Sequence, residues 1–133
     1  KIYVKLALDV LAKHDIKAIA HITGGGLIEN ITRVIPKGLG LDINKKSWEK
    51  PPIFKMIEGF NAVDERELHK SFNMGIGLVL IVDKENADDV VNFINNREND
   101  NADYVDKKYS ELLEDKAYII GEVVDSHEGV ELC

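Results

Sequence analysis

The chain has 133 residues, enough for one folded domain, since single cores commonly form between roughly 100 and 200 residues. Its hydrophobic fraction of 44% and charged fraction of 31% exclude a disordered or collagen-like chain. The formal charge of −7 argues against nonspecific binding to nucleic acid, which depends on clustered lysine and arginine. No apolar run approaches the roughly 20 residues that cross a bilayer, so no membrane-spanning segment is expected.

The two ends of the chain indicate its cellular location and its place in a longer sequence. The only cysteine, Cys133, is the last residue, so an internal disulfide is impossible and a cytoplasmic location is expected. The start, Lys1-Ile2-Tyr3-Val4, has neither an initiator methionine nor the pattern of a signal peptide. We therefore expect residues 1–133 to be a single domain of a longer protein.

The first third of the chain predicts a helix, a strand and a second helix. Apolar residues at helical spacing indicate a helix over about residues 2–13, and Ile16–Ile22 has the length and alternation of a strand. The glycine-rich stretch Thr23–Gly26 follows this strand. Beyond it, apolar residues return to the helical period over Leu27–Ile35, until Pro36 ends the segment.

The middle of the chain continues the alternation of strands and helices. Leu39–Ile43 suits a short strand, and Pro51-Pro52 is expected to start a helix. The core face of that helix is expected to carry three apolar residues, Ile53, Phe54 and Ile57. Asp64 is predicted to cap a further short helix that ends near Phe72, with Glu67 completing a capping box.

The last part of the chain predicts a β-α-β unit. Residues 73–77, with two glycines, interrupt any helix and introduce a strand over Leu78–Val82. A helical stripe over Ala87–Ile94 and a strand over Ala117–Val124 follow. The polar residues 96–116 predict a surface insertion that is helical in part. The whole chain is thus expected to form one mixed α/β domain.

The three glycines 24–26, between a predicted strand and a predicted helix, are the main candidate for a binding site. Without side chains, their backbone N–H groups can approach an anion, and the start of the helix adds unsatisfied amides. The alternative is a tight turn in which the glycines only supply positive φ angles. The loop matches neither a P-loop nor a dinucleotide-binding spacing, so neither an ATPase nor a dehydrogenase follows from it.

Polar residues near the two glycine segments each have two interpretations. His21 is either a core histidine bonded to backbone or a group beside a ligand. For Thr23, a role as N-cap of the next helix is favoured over a ligand contact through its hydroxyl. Glu29 and Arg33 are spaced for a surface ion pair, and Asn73 suits a turn without any ligand. The four histidines are scattered, so no metal site is expected.

Two glycine segments, AHITGGG at Ala20–Gly26 and FNMGIG at Phe72–Gly77, resemble the C-terminal domain of the phosphoribosylformylglycinamidine cyclo-ligase (aminoimidazole ribonucleotide synthetase) family. Further matching segments, in order along the chain, are Ile2-Tyr3-Val4-Lys5, Glu29-Asn30, Arg33-Val34, Pro36, Ser47-Trp48, Pro52-Ile53-Phe54 and Ile120-Gly121-Glu122-Val123. The resemblance spans nearly the whole chain, and residues 96–116 are its one departure. It implies an α/β (α+β) fold with a mixed β-sheet flanked by helices.

The resemblance also implies an activity, the conversion of formylglycinamidine ribonucleotide and ATP to aminoimidazole ribonucleotide, ADP and phosphate. It implies an N-terminal domain, outside this chain, that supplies most of the ATP and Mg²⁺ site and the main contact of a homodimer. The present chain then forms one wall of the active-site cleft and is expected to be inactive alone.

Roles for individual residues follow from the resemblance by motif position. His21 is implied as an acid, a base or an orienting group. The implied contacts to phosphate or substrate are Thr23, Gly24, Gly25, Gly26 and Asn73. The alternatives are a related ATP-dependent enzyme of the formylglycinamide ribonucleotide amidotransferase, selenophosphate synthetase or thiamine-monophosphate kinase type, or a noncatalytic ligand-binding domain.

Overall fold

In the computed structural model the described residues are 1–60, 63–97 and 114–133. They divide into two compact units, each built from two separate stretches of chain. The first unit contains Lys1–Ile16 and Val82–Ile119, and the second contains Lys17–Ile81 and Ile120–Cys133. The predicted insertion over residues 96–116 lies largely outside the described residues.

The described residues form five α-helices and five strands. The helices are α1 (Val4–Lys13), α2 (Gly26–Thr32), α3 (Pro52–Gly59), α4 (Glu65–Ser71) and α5 (Ala87–Asn95), with a 3₁₀ turn, Lys84–Asn86, before α5. The strands are β1 (Ile16–His21), β2 (Gly40–Ile43), β3 (Leu78–Val82), β4 (Gly121–Val124) and β5 (Gly129–Leu132). None of these helices combines the length and the apolar character needed to cross a bilayer.

The described part of the first unit is built on the packing of α1 against α5. On α1 the buried residues are Leu6 and Val10, and on α5 they are Val90 and Ile94. Each pair is four residues apart, so both members lie on one face of their helix. The amphipathic pattern that predicted these two helices is therefore also the pattern that buries them.

A three-stranded mixed sheet with β2 in its centre organises the second unit. β4 pairs with β2 in the antiparallel direction and β5 pairs with β2 in the parallel direction. Leu41 lies opposite Val123 on one side and Val130 on the other, so apolar side chains form a continuous row on one face. This row belongs to the core of the unit, which also contains the fully buried Leu27 and Ile31 of α2.

The strand predictions for the end of the chain need correction. The strand expected over Ala117–Val124 begins only at Gly121. At its expected start, the side chain of Asn95 takes both backbone groups of Ala117. Asn95 Oδ1 accepts from Ala117 N at 2.8 Å, and Asn95 Nδ2 donates to Ala117 O at 3.2 Å. The predicted β-α-β unit is also wrong, since β3 pairs with β1 while β4 pairs with β2. β5 was not predicted.

Helix α2 is shorter than the sequence predicts. The apolar pattern extends to Ile35, but the helix ends at Thr32. A proline disfavours helical angles at the residue before it, so Pro36 prevents the helix from including Ile35. Val34 and Ile35 still pack against the core, which explains why they follow the apolar pattern.

Helix α3 spans the range that its prolines and Gly59 predict, but its core face is narrower. Phe54 and Ile57 pack against the core, as expected. Ile53, predicted to join them, is 51% exposed. Because α3 contains no fully buried residue, only a narrow stripe of this helix contacts the core.

The predicted N-cap of α4 is confirmed. Asp64 Oδ1 accepts a hydrogen bond from the backbone N–H of Arg66 at 2.8 Å, which satisfies one amide at the start of the helix. The carboxylate of Glu67, expected to complete a capping box, instead accepts from Lys70 Nζ at 2.6 Å. The cap of α4 therefore depends on the aspartate alone.

Candidate functional site at the glycine loop

The second unit brings together the two glycine segments that the sequence singles out. β1 and β3 pair, and just beyond them Ile22 N donates to Gly77 O at 2.9 Å. The segment Thr23–Gly26 therefore follows directly from a backbone contact with the end of the segment Asn73–Gly77. We call the first of these segments, Thr23–Gly26, the glycine loop.

The buried side chain of Asn30 holds the glycine loop. Asn30 is 7% exposed, and its Nδ2 lies 2.7 Å from Gly26 O, 3.2 Å from Gly24 O and 3.4 Å from Thr23 O. An amide nitrogen carries two hydrogens, so three acceptors require at least one shared bond. One side chain thus fixes the direction of three of the four carbonyl groups in the loop.

This arrangement decides where the loop amides point. In a trans peptide the carbonyl and the following N–H point in opposite directions. Because Thr23 O and Gly24 O face Asn30, the N–H groups of Gly24 and Gly25 face away from it. Neither of these two amides donates to another group in the described part of the chain. The loop therefore presents two adjacent donors, as an anion site requires.

The surroundings of the two amides differ. A side chain at Gly24 would meet no atom within 4 Å, so the space beside this residue is open. A side chain at Gly25 would meet Glu29, whose Oε2 lies 2.6 Å from the position of its first carbon. Glu29 forms the predicted pair with Arg33, at 3.4 Å between Oε2 and the guanidinium. An anion therefore meets less repulsion beside Gly24 than beside Gly25.

Gly26 has a packing role. Its N–H donates to Thr23 O at 3.1 Å within the turn, and the residue itself is buried. It has a φ of +60°, and a side chain there would overlap the backbone carbonyls of His69 and Lys70. Gly26 thus permits the close approach of α2 to α4.

One of the two polar atoms of the Asn73 side chain forms a hydrogen bond within its own turn. Its Oδ1 accepts from Gly75 N at 2.9 Å, and its backbone oxygen accepts from Ile76 N at 2.9 Å. The next residue, Met74, is buried, and its carbonyl accepts from Trp48 Nε1 at 2.9 Å. The turn is well anchored, and Nδ2 is the group of Asn73 that remains able to reach a ligand.

Two interpretations of residues beside the loop are wrong. The first interpretation of His21, as a core histidine, is wrong, because its side chain is exposed and Ile22 takes the buried position at this point of the chain. Thr23 was expected to cap α2, but the cap residue is Gly25 and no side-chain cap bond forms. Both side chains lie on the surface beside the loop, where roles as ligand contacts remain predictions.

His69 is the buried histidine in the described part of this unit, although it stands outside every motif in the sequence. It lies on α4 with no exposed surface, and its Nδ1 is 2.8 Å from Glu65 O. A carbonyl can only accept, so Nδ1 carries the proton, and Nε2 has no partner in the described residues. No spacing or motif marks this position, because its burial depends on the packing of α4 against α2.

A second polar cluster, Asp42, His127 and Glu131, lies on the mixed sheet. Their ligand-type atoms all lie within 4.8 Å of one another. His127 Nε2 is 2.7 Å from Asp42 Oδ1, and this bond, together with one to the Glu128 carbonyl, raises the pKa of His127. Asp42 and His127 are 85 positions apart, so sequence spacing could not reveal the cluster.

Comparison with known proteins agrees with this architecture. The family described as AIR synthase related protein, C-terminal domain, matches residues 1–133. Phosphoribosylformylglycinamidine cyclo-ligase of Acetivibrio thermocellus is 44% identical over all of this chain and 34% of its own length. The protein of the same name from Thermoanaerobacter sp. is 42% identical over 98% of this chain and 34% of its own length. The chain thus spans about a third of these relatives.

A solved structure shows the same fold. The Escherichia coli protein HypE, a hydrogenase maturation protein, aligns with 98% of this chain and 35% of its own chain, with a TM-score of 0.66. The two sequences are 21% identical, so this likeness concerns the fold alone. The match over the whole chain and the shared fold confirm the resemblance seen in the two glycine segments, and the chain belongs to the family of AIR synthase related proteins as their C-terminal domain.

Proposed function

We propose that residues 1–133 are the C-terminal domain of an ATP-dependent cyclo-ligase that converts formylglycinamidine ribonucleotide to aminoimidazole ribonucleotide. The names of the relatives support this reaction. The observation that carries the site is the pair of open amides at Gly24 and Gly25, held by Asn30 beside the second glycine segment. This loop forms one wall of the active-site cleft and contacts phosphate or substrate.

The proposed reaction needs little beyond orientation and charge stabilisation. The terminal phosphoryl group of ATP moves to the formyl oxygen and releases ADP. An amidine nitrogen of the same molecule then attacks the formyl carbon, the carbon–oxygen bond breaks, phosphate leaves with that oxygen and the nitrogen loses a proton. Because the attack is intramolecular, binding in a productive geometry removes much of the entropic barrier. Backbone donors fixed before binding can stabilise the charge on the phosphate oxygens.

The glycine loop and its neighbours supply these interactions in the proposal. The amides of Gly24 and Gly25 donate to a phosphate oxygen, and the exposed Thr23 hydroxyl adds a further donor. His21, exposed at the end of β1, orients the substrate or transfers the proton. Asn73 contributes its Nδ2 as a secondary contact.

We further propose that ATP and Mg²⁺ are bound mainly by an N-terminal domain, in a cytoplasmic homodimer. In residues 1–60, 63–97 and 114–133, the grouping of possible metal ligands lies on the mixed sheet and not at the glycine loop. The loop itself offers amides, which suit phosphate but do not bind a cation. The amides of the loop therefore fit the phosphate, and the proposal assigns Mg²⁺ mainly to the N-terminal domain.

The test replaces Gly24 by alanine in the full-length protein. A methyl group enters the open space beside the two amides, so we expect kcat/KM for ring closure to fall by about tenfold or more. The melting temperature should not change, because nothing lies within 4 Å of the new group. Gly59→Ala is the matched control, since Gly59 also has open space and ends helix α3, outside both glycine segments.

A titration of the 133-residue chain with inorganic phosphate gives a second readout. The amide NMR signals of Gly24 and Gly25 should shift before those of other residues. If Gly24→Ala keeps full activity, or if those signals stay still while another region responds, the loop is only a turn and the site assignment is wrong.

A further inference from the structure

The solvent-facing side of the mixed sheet carries a row of carboxylates that the proposed reaction does not use. Asp42 in β2 pairs directly with Glu131 in β5 and with Glu122 in β4. Because side chains directly opposite each other share a face, all three carboxylates lie on the face opposite the apolar row. Like charges placed directly opposite each other destabilise a sheet. A cation on this face would relieve that repulsion.

An imidazole is fixed beside this row. A side chain at Gly40 would overlap the ring of His127, so the ring lies directly against the backbone of β2 at this glycine. His127 Nδ1 is 3.3 Å from the carbonyl oxygen of Glu128, to which it donates. Its other nitrogen, Nε2, is thereby directed to Asp42 Oδ1, 2.7 Å away.

This orientation is the one that metal-bound histidines adopt. A ligating imidazole usually donates its second N–H to a carbonyl or carboxylate, which fixes the tautomer and the ring plane. Here Glu128 O takes that role for Nδ1, while Nε2 faces oxygen ligands on two neighbouring strands. The ring is therefore oriented before any ion binds, and this orientation distinguishes the cluster from a patch of surface acids.

We propose that His127 Nε2 and the carboxylates of Asp42 and Glu131 bind one divalent transition-metal ion such as Zn²⁺. Their ligand atoms lie within 4.8 Å of one another, so small side-chain rotations bring all three to the usual distances of roughly 2.0–2.2 Å. Imidazole favours Zn²⁺ over Mg²⁺ or Ca²⁺, which prefer oxygen ligands alone. Three protein ligands leave a fourth position for water.

This site shares no residue with the glycine loop. A test of metal binding is therefore separate from a test of the proposed reaction. In the metal-free chain, Nε2 shares a hydrogen with Asp42; the ion takes the place of that hydrogen, which leaves to solvent as a proton. The two groups that hold the ring, Gly40 and the Glu128 carbonyl, are unchanged by this exchange. The ion thus connects β2 to β5 and to the turn before it.

Calorimetric titration of the 133-residue chain with Zn²⁺ tests the site. We expect saturable binding of one ion per chain, with a shift of the His127 Nε2 signal in ¹⁵N NMR. His127→Asn and Glu131→Gln should each weaken the affinity by about tenfold or more. His21→Asn, which removes an exposed imidazole from β1, is the matched control and should leave the affinity unchanged.

Glu131→Gln keeps the test decisive if His127→Asn disturbs the fold, because Glu131 is exposed and its substitution removes only a charge. Mg²⁺ at the same concentration should not displace Zn²⁺. The proposal is overturned if Zn²⁺ uptake does not saturate, if both variants bind as tightly as the parent chain, or if the affinity depends on His21.

Discussion

Among single residues, Asn30 determines how the glycine loop presents its amides. Its Nδ2 reaches three carbonyl oxygens at 2.7, 3.2 and 3.4 Å from a buried position on α2. In sequence this residue is an ordinary polar position next to Glu29, and the family resemblance alone drew attention to it. The geometry explains why an asparagine suits the position, since a carboxylate could not donate to carbonyls.

Replacing Asn30 by alanine should destabilise the chain by about 1–3 kcal/mol, because its side chain no longer donates to three carbonyl oxygens in buried or partly buried positions. The measurement is the free energy of unfolding from urea denaturation. Asn96→Ala is the matched control: Asn96 Nδ2 also donates to the carbonyl four residues earlier, at 2.8 Å, but in an exposed position. The control should stay within about 0.5 kcal/mol of the parent chain. Equal losses in both variants would contradict the role assigned to Asn30.

Among the elements, the contact of α2 with α4 depends on Gly26. The glycine lies against the backbone carbonyls of His69 and Lys70, a distance at which no side chain fits. The resemblance implied Gly26 as a ligand contact, and that role stays a prediction. Its packing role is a separate reason for glycine at this position.

Alanine at Gly26 should be costly for two reasons, the positive φ and the overlap with α4. Gly129→Ala separates them, because Gly129 has a φ of +86° but no atom within 4 Å. The free energy of unfolding of the control, Gly129→Ala, should fall by about 1–2 kcal/mol, which is the cost of the left-handed conformation. For Gly26→Ala the free energy of unfolding should fall by about 1–3 kcal/mol more than for the control, because the new side chain overlaps α4. If urea denaturation gives equal losses, α4 does not restrict the size of residue 26.

For the molecule as a whole, we propose that the activity needs more than this chain. The chain spans 34% of the length of its cyclo-ligase relatives, and the family assigns it to their C-terminal domain. Within the described ranges, the grouping of three possible metal ligands lies on the mixed sheet, and Glu29 is the carboxylate beside the glycine loop. We propose that the chemistry also needs residues from the rest of the protein.

The 133-residue chain should consequently show no ring closure when mixed with ATP, Mg²⁺ and formylglycinamidine ribonucleotide. The measurement is the formation of aminoimidazole ribonucleotide and ADP, with the full-length protein as positive control under the same conditions. Turnover above the enzyme-free background would show that this chain alone contains the catalytic groups.

The local elements were largely predictable because their signals are local. β3 has the predicted bounds, and α1, β1, β2 and α5 agree to within two residues. Helical or alternating spacing of apolar residues is visible in a single segment, as are the aspartate cap of α4 and the proline that starts α3. The two glycine segments were also predictable as a pair, through their resemblance to a known family.

The predictions from sequence were wrong where the structure of a segment depends on residues far away in the sequence. Asn95 takes the backbone of Ala117, the expected start of β4, and the pairing of β4 with β2 replaces the expected β-α-β unit. His69 is buried although no sequence pattern marks it, and His21 is exposed, because burial of a histidine depends on which helix packs over it. No segment of sequence contains this information by itself.

The sequence by itself determined the class of fold, the family and the two glycine segments. The reason is that apolar periodicity, turn residues and sequence motifs are all properties of short segments. Only the tertiary structure decided which amides of the loop are open, which histidine is buried and which strands pair. It also placed Asp42 beside His127, 85 positions away. Such contacts depend on the pairing of β2 with β5 and on close approaches at glycines, which are set by the packing of the whole unit.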